Sequence, residues 1–222
     1  MPVKAAPMVQ AIYSWTGVYI GISGGGANGE YEYCDVGGVP ALCTGGFKFR
    51  GGFVGGQAGV NWQINQFVVG FEGDGSWANI RRHQACAGVF NPAFQCNSEV
   101  EAFSTVRGRV GYAFTTGLPI LNNVLIYGTG GFAATRLVRK DVSPAGPVLN
   151  ADATVSGWTA GAGIEVGWGQ WSVKGEWLHI DPRKTIIGPN VVGAGFTPNL
   201  QIDARYDIFR VGLNYRFGQI GL

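Results

Sequence analysis

The chain has 222 residues, of which 14% are charged and 38 are glycine, with 16 lysines and arginines against 14 aspartates and glutamates. This length fits one domain, and the near-balance of charge gives no reason to expect nucleic acid as a partner. No stretch is apolar for the ~18 residues that a membrane-spanning helix needs. Aromatic and β-branched residues are too frequent for a disordered chain, so the composition favours closely packed strands.

The first 14 residues form a lead-in that contains proline and alanine and precedes the first alternating segment. This lead-in lacks the apolar core of ~7–15 residues that a signal peptide carries. We therefore expect the sequence to be the mature form of an exported protein whose signal peptide has been cleaved.

Eight segments then alternate apolar with polar or small residues, which is the pattern of strands with two unlike faces. In the fourth segment, RGRVGYAF at 107–114, apolar residues occupy every second position and arginines or glycine fill the positions between. The predicted strands lie near 15–25, 52–64, 66–79, 99–114, 123–138, 154–168, 170–180 and 206–217.

The connections between these segments alternate between short and long. Short turns at one end of a sheet and long loops at the other are typical of an outer-membrane barrel. In hydrocarbon every backbone N–H and C=O must be paired, which excludes an open sheet edge. The sequence therefore predicts an all-β fold, an eight-stranded antiparallel transmembrane β-barrel with short periplasmic turns, long extracellular loops and both termini in the periplasm. The short connections are 64–66, 115–122 and 169–170, and the long ones are 26–51, 80–98, 139–153 and 181–205.

The seven tryptophans mostly fall near the ends of the predicted strands, which suits an aromatic girdle at each membrane interface. The alternative is a soluble β-sandwich or lipocalin-like barrel with these aromatics in its core. Charges on the opposite strand face are too sparse and too balanced for a solvated surface, which favours the membrane barrel. The predicted girdle comprises Trp15, Trp62, Trp77, Trp158, Trp168, Trp171 and Trp177.

If the apolar face meets lipid, the other face lines the barrel interior. An eight-stranded barrel is just wide enough for side chains to fill, and isolated buried charges are costly, so the interior charges must pair. We predict a structural network of ion pairs, and the alternative is a polar path for small solutes. The predicted lumen network contains Glu72, Asp74, Glu101, Glu165 and Glu176 with Arg107, Arg109, Lys174, Arg210 and Arg216.

Four cysteines fall in two local pairs within polar, turn-rich segments. An even number in such segments favours disulfides and an oxidising compartment. A zinc site would need CxxC-like spacing or histidine partners nearby. Of three connectivities, the simplest joins Cys34 to Cys43 and Cys86 to Cys96.

Several stretches carry a family resemblance. The chain resembles the small outer-membrane β-barrel proteins of alphaproteobacteria, a porin-like family of 25 and 31 kDa outer-membrane proteins. The resemblance implies a location in the outer membrane of a Gram-negative bacterium, with roles in envelope integrity and passive solute passage. It also implies that some members bind hemin through exposed regions and that some are tethered to peptidoglycan through the N-terminus. It rests on YSWTGVYIG (13–21), VVGFEGDGSW (68–77), RGRVGYAF, LIYGTGGFA (125–133), GWTAGAGIE (157–165), VKGEWLHID (173–181) and YDIFRVGLNYRFG from residue 206.

Two competing functions depend on particular residues. Hemin binding at the surface would need an axial ligand, and His83 and His179 are the two histidines of the chain. Catalysis would need a nucleophile, a base and an orienting group on one face. Ser172, Glu176 and His179 are close in sequence, but alternation sends His179 outward and the other two inward, so we predict no enzyme.

The sequence thus predicts a periplasmic lead-in at 1–14, a barrel at 15–217 and a C-terminal tail at 218–222. The expected function is a structural or porin-like role in the envelope, with a narrow or plugged lumen. The alternative is a surface protein whose loops bind hemin, a host component or an envelope component. No cofactor or metal is expected. Outer-membrane lipid and lipopolysaccharide are the expected partners, and peptidoglycan at the N-terminus and a second copy of the chain are further candidates.

Overall fold

The fold is an all-strand barrel, seen in a computed structural model. In its described part the chain contains no helix with the length and apolar character needed to cross a membrane. The structure describes residues 13–35, 42–85, 95–118, 121–143, 146–183, 185–187 and 200–217. The predicted tail at 218–222 and most of the predicted lead-in therefore lie outside the described residues.

Strands β1 (Gly17–Asp35) to β7 (Trp171–Pro182) each pair antiparallel with their neighbour in chain order. Strand β7 pairs with β9 (Leu200–Phe217), and β9 pairs with β1 to close the sheet on itself. Eight of the strands within the ranges above form the barrel wall, while the three-residue β8 pairs only with the start of β9. This confirms the predicted fold class. The strands are β1 Gly17–Asp35, β2 Leu42–Ile64, β3 Phe67–Ala85, β4 Gln95–Thr115, β5 Asn123–Ser143, β6 Gly146–Trp168, β7 Trp171–Pro182, β8 Thr185–Ile187 and β9 Leu200–Phe217.

The strands extend well beyond their predicted ends, and always toward the long connections, which we call the loop end. Strands β1 to β6 each have 19 to 23 residues, about twice the ~9–11 residues that cross a bilayer. Strand structure takes up much of the predicted long loops; β5, for example, ends at Ser143 and β6 begins at Gly146. The opposite end, where β2 turns into β3 through Asn65, is the short-turn end.

The polarity of the inner and outer faces of the barrel wall reverses part-way along the strands. Near the short-turn end apolar side chains point outward and polar ones inward, as in Val211 (63% exposed) and Arg210 (2%) of β9. Nearer the loop end the order reverses, and Tyr206 and Ile208 point inward while Asp207 lies on the outer surface. The outer wall therefore carries one apolar band, and the interior changes from polar to apolar at its upper edge.

Candidate functional site

The barrel interior holds the densest group of charged side chains in the described part of the chain. These residues occupy alternate inward positions on five strands, because the pleat turns every second side chain to the same face. All of them are buried, with at most 7% of their surface exposed. This central charge network consists of Glu72 and Asp74 on β3, Arg107 and Arg109 on β4, Glu165 on β6, Lys174 and Glu176 on β7, and Arg210 on β9.

Glu72 lies at the centre of the network. Lys174 Nζ contacts both of its carboxylate oxygens, at 2.7 and 2.6 Å. Arg107 Nη2 donates to Oε1 at 2.5 Å, and Arg210 Nη2 donates to the same oxygen at 3.0 Å. The Tyr19 hydroxyl donates to Oε2 at 2.8 Å. Three cations from three strands thus share one carboxylate, which ties β3 to β4, β7 and β9 across the lumen.

Arg107 joins Glu72 to the other two acids of this group. Its Nη1 donates to Glu176 Oε1 at 2.9 Å and its Nη2 to Asp74 Oδ2 at 3.0 Å. Arg210 binds the same two acids, with Nε to Glu176 at 2.7 Å and Nη1 to Asp74 at 3.2 Å. The planar forks of the two arginines suit this shared binding of carboxylates.

A second cluster lies closer to the short-turn end, around Glu165. Arg109 Nη2 donates to Glu165 Oε2 at 2.7 Å. Ser172 and Asn214 donate to the other oxygen, at 2.5 and 3.0 Å. Arg109 also lies over the Tyr127 ring, 4.1 Å from its centroid. The network thus pairs four acids with four bases, and this balance offsets the cost of burying its charges.

Arg216, which we predicted in the network, lies apart from it at the short-turn mouth. Its guanidinium is 5.0 Å from the ring centroid of Tyr13 and 4.7 Å from that of Trp15. Its Nη1 donates to the Ser14 carbonyl oxygen at 2.7 Å. Burial raises the pKa of the Tyr13 phenol, and the nearby Arg216 guanidinium opposes that rise. The segment before β1 is therefore fixed inside the mouth.

Trp15 is accordingly not a girdle residue, and this part of the sequence prediction is wrong. It is 1% exposed inside the barrel, because its backbone N–H binds Gln63 Oε1 and the segment folds inward before β1 begins. The other six tryptophans lie on the outer surface, from 41% exposed at Trp62 to 73% at Trp77. Alternation cannot reveal the path of a segment that is not a strand.

The prediction that Glu101 faces the lumen is also wrong. Its side chain is 55% exposed on the outer surface and lies 3.4 Å from Arg136, which is equally exposed. Strand β4 has a register shift between Val100 and Ala102. A bulge of this kind inserts one residue and moves the following side chains to the other face, so Val100 and Phe103 both point inward.

An apolar layer of buried side chains lies above the charge network, and the alternation of the sequence does not predict it. The rings of Phe53 and Phe103 meet edge to face with centroids 5.0 Å apart. Leu178, Ile180 and Ile208 are fully buried beside them. One feature of the sequence could have indicated this layer. Where the outer face changes from apolar to polar, two apolar residues follow each other and point to opposite faces, as Ile208 and Phe209 do.

Aromatic rings cover two of the inward glycines. The Tyr19 ring lies over Gly59 and the Tyr127 ring over Gly163, so a Cβ atom at either glycine would collide with a tyrosine. These tyrosines also donate to network carboxylates, Tyr19 to Glu72 and Tyr127 to Glu176. Small residues therefore make room for aromatic rings that fill the interior.

The three residues of the catalytic alternative are not brought together. Ser172 and Glu176 are buried in the network, whereas His179 lies on the outer surface with Nδ1 3.0 Å from Asp207. Within the described ranges, no group of three or more His, Cys, Asp or Glu residues is placed to hold a metal ion. The backbone of His83 lies in β3, and its side chain is outside the described part.

The two predicted disulfides differ in what the backbone shows. The register places Cys34 of β1 directly opposite Cys43 of β2. Opposite residues of antiparallel strands have Cα atoms ~4.5–5.5 Å apart, within the ~4.4–6.8 Å that disulfides span. Cys96 lies in β4 opposite Asp141, and Cys86 falls outside the described residues. Both disulfides stay predictions.

Comparison with known proteins gives consistent matches along the chain. The family model described as "Outer membrane protein beta-barrel domain" matches residues 3–217. The chain is 35% identical to the 31 kDa outer-membrane immunogenic protein of Brucella melitensis, over 92% of this chain and 85% of that protein. It is 29% identical to the 25 kDa outer-membrane immunogenic protein of the same organism, over 97% and 84% of the two chains. Among solved structures, the outer membrane protein OprG from Pseudomonas aeruginosa matches with a TM-score of 0.46 and 12% identity, covering 91% of this chain and 97% of that chain.

Proposed function

The chain belongs to the outer-membrane β-barrel protein family, and from this premise we propose that it is a structural barrel whose lumen is closed to ions and solutes. The short-turn end then faces the periplasm and the loop end the outside of the cell. The central charge network, the apolar layer and the Trp15 segment together form the closure. Outer-membrane lipid and lipopolysaccharide surround the apolar band.

The observation that carries this proposal is the burial of the network. The side chains of Arg107, Lys174 and Arg210 have no solvent-exposed surface, and that of Glu72 is 2% exposed. A porin-like path would expose charged side chains to water along its wall. Here each carboxylate is instead bound by cations, and the apolar layer separates the network from the loop end.

Planar-bilayer conductance tests this role. Only protein whose mobility on a gel shifts on heating, as expected of a folded barrel, should be used. We expect no discrete channels from such protein, with a known porin reconstituted in parallel as the positive control. Reproducible channels whose conductance changes in Arg107→Ala would contradict a closed lumen and favour the porin-like alternative.

Binding at the cell surface is a second candidate, and strand length supports it. About half of each long strand lies beyond the residues needed to cross the bilayer, so the barrel presents a polar wall above the membrane. The two Brucella relatives are named as immunogenic proteins, which fits a surface reached by host molecules. For hemin, a shifted Soret band that is lost in His83→Ala or His179→Ala would support this candidate, and no shift would count against it.

The proposal includes no catalytic activity. Ser172 Oγ donates a hydrogen bond to Glu165, and this carboxylate also forms an ion pair with Arg109 inside the barrel. A serine held in this way is neither exposed nor adjacent to a histidine. Loss of activity toward a lipid or peptide substrate in Ser172→Ala would refute this part of the proposal.

A further inference from the structure

The outer wall of the barrel carries an open groove across β6, β7, β9 and β1. Its volume is about 600 Å³, within the ~300–1,000 Å³ of the clefts that hold small molecules. Large apolar side chains form its sides, and small residues lie between them. We call it the β7 groove, and its main outward residues are Ile164, Trp177, Phe209 and Val211, which are 42–63% exposed, with Ala162 and Gly175 between them.

The register between strands forms this groove around Gly175. This glycine of β7 is opposite Ile164 of β6 and Val211 of β9. One outward position nearer the loop end, Trp177 is opposite Phe209. A Cβ atom at Gly175 would meet no atom within 4 Å. The absent side chain of Gly175 therefore leaves an open depression between these four apolar side chains.

The lining of the β7 groove identifies the class of its occupant. Glu176 and Arg210 also line it, but both side chains have no exposed surface and bind each other inside the barrel. They therefore meet the groove only through their main chain, which is paired in the sheet between β7 and β9. The groove presents no charged side chain, which excludes a charged ligand and fits a hydrocarbon chain.

The position of the groove along the strands indicates which leaflet of the bilayer it meets. The next outward residues of β7 and β9 toward the loop end are His179 and Asp207, whose side chains lie 3.0 Å apart at the edge of the apolar band. Gly175 is four residues from His179, and a strand rises ~3.3 Å per residue, so the groove lies within ~13 Å of this edge. Each leaflet supplies half of a ~30 Å hydrocarbon core. With the loop end outside the cell, the groove lies in the outer leaflet.

Packing contacts favour a chain inside the groove over a chain elsewhere on the wall. Lipid tails are as apolar as the wall itself, so van der Waals packing takes the place of a hydrophobic gain. A chain on a flat part of the wall contacts protein on one side. In the β7 groove it contacts Gly175 beneath it and Trp177 and Val211 beside it, and each added contact contributes dispersion energy.

We propose that the β7 groove binds one acyl chain of a lipid of the outer leaflet. The inference rests on the proposed function, which sets the orientation of the barrel and surrounds its apolar band with lipid. It adds that one chain has a fixed place on this surface. The headgroup lies at the level of His179 and Asp207, and the part of the chain nearest the headgroup lies over Gly175.

Photo-crosslinking in phosphatidylcholine vesicles tests this site. Two phosphatidylcholine probes are used, with a diazirine near the ester end or at the methyl end of one acyl chain. We expect the ester-end probe to label the β7 segment 175–183 several-fold more than the β3 segment around Gly75, which also faces outward. Equal labelling of the two segments would overturn the proposal. Labelling of β7 by the methyl-end probe alone would indicate a lipid of the opposite leaflet, and crosslinks to a second copy of the chain would indicate a protein contact; either result would also overturn it.

A substitution that fills the groove gives the matched comparison. Gly175→Leu should reduce the labelling of β7 to the level of β3, and unchanged labelling would overturn the proposal. Gly75→Leu is the control, because a Cβ atom at Gly75 also meets no atom within 4 Å and this residue does not line the groove. Only variants whose gel mobility shifts on heating are compared. Channels in the bilayer assay would contradict the closed lumen without changing the labelling, so failure of the proposed function and failure of this inference are distinguishable.

Discussion

Removal of the Arg107 side chain should destabilise the barrel more than any change to an exposed arginine. Arg107 binds Glu72, Asp74 and Glu176, and all four side chains are at most 2% exposed. Without it, four buried acids face three bases. Hydrogen bonds to charged groups are each worth about 1.5–3 kcal/mol, but Arg210 still binds the same three acids and limits the loss. We expect Arg107→Ala to cost about 3–5 kcal/mol, as is typical of breaking a buried ion pair.

Arg136→Ala is the matched control for this experiment. Arg136 lies on the neighbouring strand β5 and pairs with Glu101 on the outer surface, where both side chains are 55% exposed. Exposed pairs contribute about 0–1 kcal/mol. The free energy of unfolding would be measured by urea titration of refolded protein, with tryptophan fluorescence and gel mobility as signals. Equal effects of the two substitutions would refute the conclusion that the charge network holds the barrel together.

Three further predictions follow from the geometry. Trp15→Ala should lower the free energy of unfolding by about 3–5 kcal/mol, as expected for a buried tryptophan; urea titration showing no change would mean that the segment before β1 does not pack in the mouth. Gly163→Ala should lower the thermal unfolding midpoint because its Cβ would collide with a tyrosine ring, whereas Gly175→Ala has nothing within 4 Å and should be neutral. Mass spectrometry of a non-reduced digest should find the Cys34 and Cys43 peptides linked, and free thiols at both positions would exclude that disulfide.

The residue pattern determines much of this protein by itself. A strand in a barrel wall has one face toward lipid and one toward the interior, so alternation alone assigns Arg107 and Arg109 to the lumen and Val110 and Phe114 to the bilayer. Closure follows from the need to pair every backbone group in hydrocarbon. Pairing among the interior charges follows from the cost of burying any one of them alone.

Alternation fails where the local geometry changes. The bulge in β4 reverses the alternation of inward and outward side chains at Glu101, and nothing in the local residue types marks the inserted position. Trp15 lies before the first strand, so its place inside the mouth depends on contacts with residues far along the chain, Gln63 and Arg216. The predicted strands stop near the edge of the apolar band because the outer face becomes polar there.

Only the tertiary structure decides which charges meet and which side chains fill the barrel interior. The order of residues along a strand gives the position of each side chain along that strand. The register between strands brings Lys174 and Arg210 to Glu72, although they are 102 and 138 residues away in the sequence. The same register stacks Phe53 against Phe103 to form the apolar layer. Within a regular strand the residue pattern determines the face of each side chain because the pleat has a period of two, whereas partners across the barrel depend on closure of the whole sheet.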